Sequence, residues 1–184
     1  MKTRAIVFQK ENLKRCSREK KMARLLEQLE KNTQLDKVIY KHDLMPEEEL
    51  TAKQVWEYSD KLAFYLNETY KEDKSPIVVY GHKHPFMLVY FLACVKSGRA
   101  FCPVDVNTPI DRVRDIAATV KSPIVFVSEA IELDTPIMTV DEAKNIITQT
   151  KERVSKEDYV KDEDIFYIIF TSGSTGKPKG VSIT

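Results

Sequence analysis

Apolar and polar positions along the chain alternate between two periods. In "TAKQVWEYSDKLAFYLNETY", residues 51–70, Val55, Tyr58, Leu62 and Leu66 recur at the spacing of one helical face, and Thr51 in front of them is a capping residue. "MARLLEQLEKN", residues 22–32, puts Leu25, Leu26 and Leu29 on one face of a shorter helix. Pro76 precedes "IVVYG", a short β-branched run closed by Gly81, as expected of a strand buried on both faces. Pro85 opens an apolar helix that stops at Gly98, where a left-handed cap costs glycine little.

"AFCPVD", "PIVFVS", "PIMTV" and "IFYIIF" read as further strands. Thr108 and Pro109 mark the N-cap and first position of a helix through "IDRVRDIAATVK", and Asp141 caps a weak helix reaching Ile147. "PEEEL", residues 46–50, reads as a solvated turn, and the charged stretch 151–164 as a connector. Strands separated by helices predict an α/β fold: a doubly wound, largely parallel sheet with helices on both faces.

Composition narrows the possible partners. The 29 Lys and Arg nearly balance the 28 Asp and Glu, leaving a net charge of +1, so no global field favours nucleic acid or an anionic membrane. The longest apolar run, residues 86–95, is half of the roughly twenty residues needed to span a bilayer. Cys16, Cys94 and Cys102 are odd in number and lack CxxC spacing, which fits a reducing, cytoplasmic setting. Through Arg24 the chain carries nine Lys and Arg against Glu11 and Glu19, so residues 1–21 read as a basic extension or a mis-assigned start, and 22–184 as one folded unit.

The chemistry is concentrated at the end of the chain. "TSGSTGKPKG" follows a strand, and in parallel sheets ligands sit at the carboxyl ends of strands. Gly173, Gly176 and Gly180 allow positive φ and close approach to a ligand, so that successive N–H groups converge on phosphate oxygens. Thr171, Ser172, Ser174 and Thr175 add hydroxyls, and Lys177 and Lys179 add charge. The pattern is not a P-loop, because only two residues separate Gly173 from Gly176 and Pro178 follows Lys177. "GVSIT" is β-like, so the loop joins two strands.

"YIIFTSGSTGKPKGV" closely resembles the signature phosphate loop of the adenylate-forming enzyme superfamily. "FLACVKSGRAFCPVDVNTPIDRV" is similar to a segment of its amino-acid-activating members, through Lys96, Gly98, Phe101, Pro103, Asp105, Pro109 and Arg112. "SPIVVYGHKHP", with Tyr80, Gly81 and His82, resembles the branch that loads D-alanine onto a carrier protein. Arg99 departs from that pattern, where a small residue or histidine is more usual, and the departure bears on the packing of the turn.

The resemblance implies the amino-terminal part of an AMP-binding domain, ending after the phosphate loop. It implies ATP with Mg²⁺, D-alanine as the acid, and the phosphopantetheine thiol of a D-alanyl carrier protein as acceptor, for D-alanylation of (lipo)teichoic acid. Thr171 and Ser172 would contact ATP, and Gly173, Ser174, Thr175, Gly176 and Lys179 would support the polyphosphate. No catalytic residue and no metal ligand are assigned within these 184 residues. Another amino or carboxylic acid as substrate, and a non-catalytic remnant, remain open.

Other candidates have simpler readings. His82, Lys83 and His84 form an HxH without a third ligand, so His82 is expected to satisfy a loop hydrogen bond. Cys94 and Cys102 read as small core residues, Trp56 as packing, and Asp105 with Arg112 as a structural ion pair.

Overall fold

The computed structural model describes residues 26, 28–31, 37–42, 45–171 and 179–184. The basic segment 1–21 therefore lies outside the described residues, as does Cys16. Among the described residues, eight strands and four longer helices follow in the order β1 (Val38–His42), β2 (Met45–Thr51), α1 (Ala52–Tyr70), β3 (Ile77–Tyr80), α2 (Phe86–Lys96), β4 (Phe101–Val104), α3 (Ile110–Val120), β5 (Val125–Val127), β6 (Ile137–Met138), α4 (Val140–Gln149), β7 (Tyr167–Thr171) and β8 (Lys179–Ile183).

Six strands form one sheet in the order β6-β5-β3-β4-β7-β8, parallel throughout except for the antiparallel β7–β8 edge pair. Parallel strands need cover on both faces, and alternation along β3 shows how it is supplied. Ile77 and Val79 face a core built by Leu62 and Leu66 of α1, Phe86, Val89, Tyr90 and Ala93 of α2, and Ile147 of α4. Val78 and Tyr80 face the other way, onto Val113, Ile116 and Ala117 of α3. The expected doubly wound α/β fold is the one observed.

The helix starts explain their sequences. Thr51 caps α1 with a capping box, its hydroxyl accepting from the Gln54 N–H while the Gln54 side chain accepts from the Thr51 N–H. For α4 the cap is Thr139, boxed with Glu142, and not Asp141, which lies in the first turn where its charge suits the helix dipole. For α3 the N-cap is Pro109, one residue later than expected. Thr108 is taken up by a turn in which its N–H donates to the Asp105 carbonyl, and the extended Pro109 offers its own carbonyl to Arg112 and Val113. Gly98 has a φ of 77°, and a Cβ there would stand 2.8 Å from the Asp158 carbonyl oxygen, so only glycine fits the exit from α2.

Three further expectations need correction. "PEEEL" is not a turn: it lies in β2, which pairs antiparallel with β1 through Tyr40 opposite Leu50 and Val38 opposite Thr51. The glutamates hide the strand's alternation, and the partner strand creates it. Leu26 is buried against Trp56, Val95 and Val160, whereas Leu29 is exposed, so those two leucines do not share a buried face. The strand read as "IFYIIF" begins only at Tyr167 and runs through Thr171.

Arg99, the departure from the family pattern, is fully buried. Its guanidinium donates to the carbonyls of Asp73 at 2.8 Å and Ser97 at 2.9 Å and to Asn67 Oδ1 at 2.7 Å, so one planar cation ties the end of α1 to the end of α2. Arg99→Met should therefore strand several buried acceptors and cost about 3 kcal/mol of unfolding free energy by chemical denaturation.

Burial also settles the thiols. Cys94 and Cys102 are buried, and burial pushes the Cys102 thiol up to about 12 from an ordinary value of 9.0. Because the folded value lies above the unfolded one, the stability it contributes is complete below pH 9 and is lost as pH rises towards 12. Unfolding free energy measured against pH should fall above pH 9, less steeply in Cys102→Ala.

Candidate functional site

The carboxyl ends of β3, β4, β5 and β7 meet along one rim of the sheet. Their close approach has a local cause at Gly81: a Cβ there would lie 2.0 Å from Ser128 Oγ, which follows β5. Backbone bonds continue the ladder past the strands, from the Gly81 N–H to the Val104 carbonyl at 3.1 Å and from the Ser128 N–H to the Tyr80 carbonyl at 3.0 Å.

Two regions of this rim compete as ligand sites. The chain crosses from β3 to β4 by way of α2 and from β4 to β5 by way of α3 on the opposite face, so the topology reverses between β3 and β5, where such sheets commonly bind ligands. A cleft of about 930 Å³ opens there, lined by Tyr80, Val127, Ser128 and Ile137. Its polar lining includes Glu129, Glu132 and Asp141 against Lys144, a balance that disfavours a polyphosphate. The hydroxyl- and glycine-rich loop begins instead at the end of β7, on the far side of β4.

Of the predicted site residues, Thr171 and Lys179 are described, whereas Ser172, Gly173, Ser174, Thr175 and Gly176 lie outside the described residues. Thr171 ends β7 and Lys179 begins β8, and the antiparallel register pairs them directly. Directly opposed residues share a face, so the hydroxyl and the ammonium stand on the same side of the hairpin end. The β-like reading of "GVSIT" is confirmed by β8. Gly180 does not need positive φ: it is extended, and a Cβ would press on Ile168 Cγ2 at 3.0 Å and the Phe170 ring at 3.2 Å.

Asp105 and Arg112 do not pair as expected. Asp105 accepts from the Asn107 N–H and side chain at 2.9 and 2.6 Å and lies 2.7 Å from His82 Nδ1, while Arg112 Nη2 donates to the Thr171 carbonyl at 2.7 Å. The turn at Asn107 folds the Asp105 carboxylate back on its own backbone. His82 thus satisfies a loop hydrogen bond. Buried His84 accepts from the Phe86 N–H at the start of α2, and no cluster of three metal-binding side chains occurs among the described residues. The contact between Arg112 and the start of the loop was not legible, since it joins positions fifty-nine apart through a main-chain carbonyl.

The AMP-binding enzyme family matches residues 25–184. The chain belongs to that family. It is 44% identical over 139 residues to the D-alanine--D-alanyl carrier protein ligases of Bacillus cytotoxicus and of Bacillus cereus strain G9842, which covers 73% of this chain and 28% of each relative. The chain therefore spans little more than a quarter of the length of those relatives. Two solved structures share the fold. One is VinN in complex with 3-methylaspartate, with a TM-score of 0.68, 20% identity and coverage of 86% of this chain and 46% of VinN. The other is the Klebsiella oxytoca NpsA N-terminal subdomain with 3-hydroxybenzoyl-AMSN, with a TM-score of 0.68, 20% identity and coverage of 89% and 40%.

The hydrogen bonds from the Asn107 backbone, from His82 and from the Asn107 side chain hold the Asp105 carboxyl down to about 2. Carboxyl chemical shifts followed against pH should show Asp105 ionised throughout ordinary acidic buffers, with its midpoint moved upward in His82→Ala and Asn107→Ala.

Proposed function

We propose that this chain contributes the phosphate-gripping part of an ATP-dependent ligase that activates D-alanine and loads it onto a carrier protein. The observation that carries the reading is the pairing of Thr171 with Lys179 at the mouth of the "TSGSTGKPKG" loop, on the carboxyl side of a mainly parallel sheet. The 44% identity to D-alanine--D-alanyl carrier protein ligases supports the choice of acid and acceptor.

In the first step a carboxylate oxygen of D-alanine attacks the α-phosphorus of ATP and the bond to the β-phosphate oxygen breaks, giving D-alanyl adenylate and pyrophosphate. Negative charge grows on the departing pyrophosphate, so fixed donors on the β- and γ-phosphates lower the barrier. Thr171 and Ser172 would contact the nucleotide, with Gly173, Ser174, Thr175, Gly176 and Lys179 around the polyphosphate. Mg²⁺ would accompany the triphosphate, and no ligand for it is assigned among these residues. In the second step the phosphopantetheine thiolate attacks the acyl carbon and AMP leaves, and the acylated carrier would serve D-alanylation of (lipo)teichoic acid.

Calorimetric titration of the chain with ATP should give a saturable heat that Thr171→Ala and Lys179→Ala together abolish. D-alanine-dependent exchange of labelled pyrophosphate into ATP should be absent for the 184 residues alone. Exchange with another amino acid and not D-alanine would reject the proposed substrate, and no binding of ATP would favour a non-catalytic module.

A further inference from the structure

Arg112 stands in the first turn of α3, and α3 packs through Val113, Ile116 and Ala117 on the sheet face that carries Ile168. From there its guanidinium reaches the main-chain carbonyl of Thr171 at 2.7 Å. A charge-assisted bond of this length is about twice as strong as a neutral one. Its acceptor is the last carbonyl of β7, so the bond ties the end of that strand to α3. Lys179, opposite Thr171 in β8, brings a second positive charge to the same hairpin end.

Two carboxylates close to Arg112 in sequence are engaged elsewhere. Asp105 is bonded to His82 and Asn107, and Asp111 to Arg114 at 3.0 Å. A guanidinium has five N–H donors, and the Thr171 carbonyl uses one of them. The geometry points to Arg112 as a positioning residue of the polyphosphate site, one that tethers Thr171 through its carbonyl and places a cation beside the phosphates. This deepens the nucleotide reading above and rests on it.

Inorganic tripolyphosphate, which needs no adenine pocket, is the probe. Calorimetric titration of the 184-residue chain at several salt concentrations should show Arg112→Ala weakening binding about tenfold, the worth of one charged hydrogen bond. Its thermal midpoint should stay within about 2 °C of the parent, because the contact is at the surface. Arg112→Lys should recover much of the affinity. Arg112→Gln keeps a donor for the carbonyl but no charge, and should stay weak with a salt dependence about one unit shallower. Tripolyphosphate bound by Arg112→Ala or by Arg112→Gln as tightly as by the parent would overturn the role of Arg112 and leave the phosphate reading standing. A parent chain that binds no tripolyphosphate would overturn both.

Discussion

The constraint on which this fold depends is that β3 has parallel neighbours on both sides and needs an apolar layer on both faces. Each connection from β3 to β4 and from β4 to β5 must return across the sheet as a helix, and the two helices take opposite faces. All the strand ends on one side then fall on a common rim, where Gly81 lets β3 and β5 close up and the β7–β8 hairpin starts its loop. The candidate site thus lies on a rim set by the same rule that builds the core.

Packing α1 against α2 also encloses two fully buried cations, Lys96 and Arg99, each held by polar groups of α1 or the turn after it. Arg99 binds carbonyls and an amide oxygen from the α1 and α2 exits. Lys96 directs its ammonium at the Trp56 carbonyl, Ser59 Oγ and Asp60 Oδ1, the last at 2.6 Å, with Nζ 3.3 Å from the centre of the Trp56 ring. Burial pulls the Lys96 ammonium down to about 8, and Asp60 opposes that shift. A lysine at zero exposure with every donor used is a structural element of the helix pair.

Much of this was legible because the relevant signals are local. Capping by Thr51, the stop at Gly98 and the β-branched run 77–80 follow from residue types within one turn or strand. The hairpin of β1 and β2 was not legible, since three glutamates mask the alternation and only the partner strand, through Tyr40 opposite Leu50, reveals it. Arg99 looked anomalous for a related reason: a charge in an apolar turn is explained only by acceptors from residues 67 and 73, which pairwise sequence spacing does not bring together. At the site, the motif supplied the candidate residues, but the Asp105–Arg112 pairing failed because a local turn at Asn107 satisfies the carboxylate first.

The antiparallel edge is where the two levels of argument meet. A sixth parallel strand would require another crossover helix, whereas an antiparallel partner pairs with β7 directly, with Thr171 opposite Lys179. The register then has two consequences. Ile168 and Phe170 face the α3 core, and Gly180 supplies the room that Ile168 and Phe170 need. On the other face Tyr167 stacks on Phe101, but nearer the tip Ile169 and Val181 pair at 43% and 50% exposure, so the end of the hairpin is packed mainly from one side. An edge anchored on one face gains rigidity from any bond at its tip, and the Arg112 guanidinium on the Thr171 carbonyl is such a bond, made from the face that is already packed.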